Sequence, residues 1–155
     1  MIKYILLISM SLLIMYLGYL FTKSYKKKVI IFNDLVKFCE ICNLGITINK
    51  LSITKIIDEY KDSFSKQFLD IVDNYYLNKN FDYHSDYLSV SEEKIVKDFL
   101  LSLGKMDVGC ELNNLSNNKK AFEKIYRDLK ENKQKGMLGT KLGVLFGLIF
   151  FIVFV

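Results

Sequence analysis

Residues 4–22 read YILLISMSLLIMYLGYLFT, without one charged side chain. At about 1.5 Å of rise per residue a helix of that length covers about 28 Å, close to the ~30 Å thickness of a bilayer's hydrocarbon core. Only Lys3 precedes the run, whereas Lys23, Lys26, Lys27 and Lys28 follow it. A cleaved signal peptide has a shorter apolar core and a small-x-small site behind it. This stretch has neither, and its lysine flank is of the stop-transfer type. Residues 1–28 are therefore read as a retained membrane anchor with a basic flank.

The other end, residues 137–155, reads MLGTKLGVLFGLIFFIVFV. Its last 14 residues, beyond Lys141, carry no polar side chain on any face. A helix apolar all round belongs in a large core or in lipid, and 155 residues make no large core. Lys141 lies in the first turn, where its long stem lets the ammonium reach the headgroups, so 137–155 is read as a second transmembrane helix. Gly139, Gly143 and Gly147 recur every four residues and share one helix face, the pattern that lets another backbone approach closely in a membrane. Ser11 and Gly18 make a shorter stripe of the same kind on the first span. Both flanks that face the middle of the chain are basic: Lys23, Lys26, Lys27 and Lys28 on one side, Lys130, Lys133, Lys135 and Lys141 on the other. The positive-inside rule then places 29–136 in the cytoplasm and both termini outside.

The net charge of +5 divides unevenly. Residues 1–28 hold five lysines and no acid, and residues 119–155 hold eight basic against three acidic residues. The remaining 29–118 has 9 basic and 14 acidic residues, a balance of −5. A nucleic-acid-binding domain is basic in its folded body, so that class is excluded. With 51% hydrophobic and 25% charged residues, so is a disordered chain. The absence of Pro suits long uninterrupted helices, and three cysteines are too few for a disulfide scaffold.

Between the flanks the apolar spacing is helical. Val29, Phe32, Val36 and Cys39, widened by Leu35 and Phe38, predict a helix that continues out of the first span and stops near Asn43-Leu44-Gly45. Ser52 is placed to cap a short helix bearing Ile53, Ile56, Ile57 and Tyr60. Asp62 or Ser63 would cap a third with Phe64, Phe68, Ile71, Val72 and Tyr75. Residues 78–90 read as a polar loop. Ser89 and Glu92 have capping-box spacing before the amphipathic Ile95, Val96, Phe99, Leu100 and Leu103, and Gly104 stands where a helix-ending glycine would. From Asp107, Val108, Leu112, Leu115, Phe122, Tyr126 and Leu129 form a heptad-like seam, with Asn113, Asn114, Asn117 and Asn118 predicting a bend near 116–118. No strand pattern competes. The expected fold is all-α: a small helical bundle, 29–136, flanked by N- and C-terminal transmembrane helices.

Chemistry-bearing patterns are sparse. Cys39-Glu-Ile-Cys42 is a C-x-x-C, but zinc needs further ligands, and Cys110 and His84 stand at no recognised spacing. Core packing is the better reading of two cysteines inside a helical apolar stripe. The carboxylate groups Asp58-Glu59-Asp62, Asp70-Asp73 and Glu92-Glu93 read as solvated helix surface. No nucleophile, base and oxyanion donor come together, so no catalytic residue, cofactor or metal is expected.

The order of these features resembles a known family. A span ending in Leu17-Gly18, a basic flank, a helix reaching Leu44-Gly45-Ile46-Thr47, the unit Leu103-Gly104-x-x-Asp107, and a long helix into Leu142-Gly143-x-x-x-Gly147 together resemble stage III sporulation protein AB of endospore-forming bacteria. The resemblance implies a domain similar to the cytoplasmic domain of the type II secretion platform protein F. It implies a non-enzymatic scaffold or adaptor in the secretion-like channel complex that joins mother cell and forespore, seated in the mother-cell membrane. The partners so implied are the lipid bilayer, other stage III sporulation membrane proteins and a cytoplasmic secretion-type ATPase. Homo-oligomerisation stays open, as does the alternative of a stand-alone pore-forming or toxin-like membrane protein acting through its glycine-rich span.

Overall fold

The computed structural model describes the backbone of residues 2–80 and 82–154, and the side chains of 9, 16, 23–80, 82–132 and 145. Five α-helices follow one another, α1 (Ile2–Asn49), α2 (Ile53–Tyr60), α3 (Lys66–Val72), α4 (Val90–Ser102) and α5 (Val108–Phe154), and there is no strand among the described residues. A 3₁₀ turn, Lys61–Ser63, joins α2 to α3, and a π-helical turn, Asp73–Leu77, extends α3. The chain is therefore all-α.

Two compact units divide it: residues 27–127, and a pairing of 1–26 with 128–155. Both boundaries fall inside the long helices, so α1 and α5 each contribute to both units. In the unit formed by the chain ends, the Tyr25 hydroxyl donates to the Leu129 carbonyl. Among the described residues no helix is long and apolar enough to cross a membrane. Most of the side chains at 4–22 and 137–155, where the sequence places the two spans, lie outside the described residues, and so do those at Ser11, Lys133, Lys135, Lys141 and Leu142 and the surroundings of Gly18, Gly139, Gly143 and Gly147.

The 27–127 unit is organised around a relay of phenylalanine rings. On α1, Ile31, Phe32, Leu35, Phe38, Cys39 and Cys42 are all buried, a stripe advancing by three or four residues per turn. Its centre is turned by one position from the Val29–Val36 line that the spacing suggests, since those two valines are only half-buried. Phe38 meets Phe64, Phe68 and Phe99 at centroid separations of 6.0, 5.6 and 6.4 Å. Phe99 meets Phe122 edge-on at 5.1 Å, and Phe122 meets Phe32 at 6.2 Å. Offset and edge-on pairs of this kind add about 0.5–1.5 kcal/mol each beyond the area they bury. The rings thus tie α1, α3, α4 and α5 into one core. Alongside them, Lys119 on α5 bonds Glu40 of α1 at 2.8 Å and Glu123 at 3.6 Å.

Three local expectations are corrected. Helix α1 does not stop at Asn43–Gly45 but continues to Asn49, where Lys50 takes a left-handed φ of 50°. Gly45 is buried there against α2: a Cβ on it would lie 2.7 Å from the Ile56 Cδ1. Its lack of a side chain serves close packing, not helix ending. Helix α3 is capped by Ser65, whose hydroxyl accepts from the Phe68 N–H at 3.3 Å, and not by Asp62 or Ser63. The reason is Asp34 on α1, 6% exposed, which accepts from the Ser65 N–H at 2.9 Å and so fixes where the helix begins. Helix α5 runs without a break through 116–118. Asn118 donates to both the side-chain and backbone oxygens of Asn114, at 2.8 and 2.9 Å, and Asn114 donates to Ser102 on α4 at 2.9 Å. Asparagines bonded along the helix no longer compete with its backbone.

Candidate interaction site at the α4–α5 corner

The unit Leu103-Gly104-x-x-Asp107 makes the corner between α4 and α5. Leu103, at 4% exposure, leaves the helix in extended conformation and packs into the core. Gly104 has φ +71°, the left-handed region that costs a residue with a Cβ. Asp107 begins α5: its carboxylate accepts from the Cys110 N–H at 2.9 Å and its carbonyl from the Glu111 N–H at 2.8 Å. The Cys110 N–H, and after it the Cys110 thiol, hold the carboxyl below the ordinary aspartate range. The motif is thus a helix-stop, a turn and a helix-start in five residues.

A cleft of about 360 Å³ opens at this corner. Four leucines, Leu77, Leu100, Leu101 and Leu103, line it together with Tyr75, Tyr76, Thr54 and Gly104. Lys79 and Lys105 also line it, and among the described residues no carboxylate does. Lys79 has φ 52°, a left-handed backbone in a residue that rarely adopts it. Burial raises the Tyr76 hydroxyl above its ordinary pKa, with Cys42 and Glu111 adding to the rise. Glu111 itself is 4% exposed, and neither of its carboxylate oxygens has a hydrogen-bond partner among the described residues.

Next to the cleft, Glu93 on α4 fastens the 78–89 loop. The Tyr75 hydroxyl donates to Glu93 and also lies 2.8 Å from the Tyr83 carbonyl. The Ser85 N–H reaches Glu93 at 3.0 Å and the His84 Nδ1 at 3.4 Å. Burial pushes the Glu93 carboxyl up, but the bonds from Tyr75, Ser85 and His84 outweigh it and hold the group below its ordinary value. Burial and then the Glu93 carboxylate raise Tyr75. Tyr83 closes the loop from outside, donating to Asp70 at 2.7 Å and packing edge-on against Tyr75 at 5.3 Å. Glu93 corrects the reading of Glu92-Glu93 as solvated surface, since it is 9% exposed. Spacing alone hints at this: Glu93 stands three residues before Val96, on the side of α4 that faces the core.

Of the flank lysines, Lys23 and Lys26 are exposed, whereas Lys27 and Lys28 also engage the bundle. Lys27 lies over the Tyr87 ring at 4.4 Å and donates to its hydroxyl at 2.9 Å. Lys28 bonds Glu92 at 2.7 Å. Glu92 in turn accepts from the Ser89 N–H at 2.8 Å, closing the capping box of α4. Cys39 and Cys42 are buried, and burial pushes the Cys39 thiol up to about 12 and raises Cys42 as well. Thiols so held are poor nucleophiles and poor metal ligands, and among the described residues no three His, Cys, Asp or Glu side chains gather in a way that could hold a metal ion. No family model, curated protein or solved structure matches the chain.

Proposed function

We propose that the chain is a non-enzymatic membrane scaffold, an adaptor subunit of the stage III sporulation channel complex of the kind its sequence resembles. Its helical body would lie on the cytoplasmic, lysine-rich side of the mother-cell membrane, and both apolar ends would cross the bilayer. The observation that carries this reading is that the two apolar ends are continuous with α1, which supplies a full stripe of the bundle core, and with α5, which adds Leu115 and Phe122 to it. A chain built in this way has its anchors and its folded body on the same helices. The side chains of Tyr16 and Leu145, one near each end, are 62% and 56% exposed, which suits segments surrounded by lipid. The Leu-Gly-x-x-Asp unit that contributes to the resemblance has a local physical role here, as the turn between α4 and α5. In this reading the partners are the other membrane proteins of the complex and a cytoplasmic secretion-type ATPase.

Two experiments test the proposal. Alkaline carbonate extraction should leave the chain in the membrane fraction. In intact cells a membrane-impermeant maleimide should label cysteines placed beside Met1 or Val155 and should spare Cys110, which is exposed on the bundle. Release into the soluble fraction, or labelling of Cys110 from outside, would refute the membrane arrangement. Co-purification with a secretion-type ATPase from sporulating cells supports the scaffold, and ion leakage from vesicles holding the chain alone would support the pore-forming alternative instead.

A further inference from the structure

The geometry points to the α4–α5 corner cleft as a docking site for an acidic peptide segment with an apolar side chain at its centre, presented by a partner protein. The chemistry of the cleft walls selects this ligand. The cleft encloses about 360 Å³, within the size range of ligand-binding pockets. Leucine and tyrosine line it, which suits an apolar anchor. Among the described residues its only charged lining residues are Lys79 and Lys105, and neither has an ion-pair partner there. This is the reverse of the surrounding charge, because residues 29–118 have a balance of −5. Two unpaired cations gathered at an apolar cleft in an otherwise acidic body make a local positive site, and such complementarity sets partner choice and encounter rate.

Backbone strain marks the same place. Lys79, at φ 52°, stands at the end of the polar loop whose other side is fastened to Glu93. Strained non-glycine residues of this kind cluster at ligand clamps. Beyond Lys105, Met106 and Val108 are 47% and 62% exposed, so apolar surface continues past the rim.

The choice of a protein segment over a lipid headgroup rests on the membrane reading above. Within the 27–127 unit, α1 rises about 32 Å from Lys28 to Asn49 at 1.5 Å per residue. The cleft lies toward the Asn49 end, where a Cβ on Gly104 would stand 4.0 Å from Ile53 and where Thr54 lines the wall. Within this unit most of that length of α1 thus separates the cleft from Lys28.

The test uses the full chain in detergent micelles and a dansylated peptide of sequence Asp-Glu-Leu-Phe-Asp. Saturable binding by fluorescence anisotropy is expected, with amide shifts at Thr54, Leu77, Leu101 and Gly104. The double variant K79E/K105E should bind at least tenfold more weakly, and K124E, at an exposed lysine on α5, should bind as the unaltered chain does. A Lys-Lys-Leu-Phe-Lys peptide, inorganic phosphate and anionic vesicles should not compete. The proposal is overturned if K79E/K105E binds the acidic peptide undiminished, if the basic peptide binds as well, if phosphate or vesicles displace the probe, or if the cleft residues shift only on self-association of the chain. Failure of the membrane reading shows separately, as release of the chain by alkali with peptide binding intact.

Discussion

Replacing Gly45 by Ala sets two known effects against each other. In a helix interior Ala is favoured over Gly by about 1 kcal/mol, and Gly45 lies within α1, four residues before its end. Against that gain, the new methyl would stand 2.7 Å from the Ile56 Cδ1 and 3.0 Å from its Cγ1. Ile56 is 0% exposed, so its side chain has little room to withdraw, and forced overpacking of a core costs about 1–3 kcal/mol. The expected outcome for G45A is a net loss of about 0–2 kcal/mol. Ile56→Val removes the nearer atom and costs about 0.5–1.5 kcal/mol by itself. In that background only the 3.0 Å contact with the remaining γ-carbon has to relax, so G45A should move toward neutral and at most recover its propensity gain of about 1 kcal/mol. The coupling between the two sites is then about 1–2 kcal/mol, in the range found for residues in direct contact. Urea titration of the detergent-solubilised chain, followed by far-ultraviolet circular dichroism, reads all four corners of the cycle. If G45A stabilises the unaltered chain by its full propensity gain, or has the same effect with Val at 56, then α1 and α2 do not approach as described and the reasoning fails.

Other outcomes are equally specific. Glu93 has a carboxyl pKa lower in the folded chain than in the unfolded chain, so its contribution is fully present above the unfolded value of about 4.3 and disappears as pH falls through the lower folded value. Acid titration should therefore show less pH dependence of stability below about 4.3 in E93Q than in the unaltered chain, and E93A, which strands the Tyr75 and Ser85 donors, should lose about 2–3 kcal/mol at neutral pH by denaturant titration. Phe122→Ala removes the ring that links Phe32 to Phe99 and should cost about 3–5 kcal/mol, measured in the same way. With a thiol-reactive chromophore at neutral pH, Cys110 should react in the native chain, and Cys39 and Cys42 only on unfolding. Equal reactivity of all three would show that the core around α1 is open.

What the sequence made visible was whatever depended on periodicity. The apolar spacing of Ile53, Ile56 and Ile57, of Phe68, Ile71 and Val72, and of Val96, Phe99 and Leu100 marked helices and their buried faces, because a 3.6-residue repeat leaves its trace in neighbouring positions. Capping at Ser89 and Glu92 was legible for the same local reason. Interactions across long chain separations left no such trace. Asp34 reads as a stray acid in an apolar stripe until Ser65, 31 residues later, is brought to it. Gly45 reads as a helix stop because helix-ending glycine and close-packing glycine look alike without the partner helix. The cleft was hidden for a related reason: Thr54, the 76–79 segment and Lys105 come from three separate stretches and share no spacing.

The π-helical turn at Asp73–Leu77 has a consequence for regulation. Turns of this type often occur where a helix has been re-aimed for function. Here the widened turn sends the hydroxyl of Tyr75 to the loop staple while its ring, together with Tyr76 and Leu77, forms part of the recess beside Lys79. One phenol is thus a party wall between two rooms. A change on the staple side would therefore reach the cleft through the same residue, with no separate messenger between them.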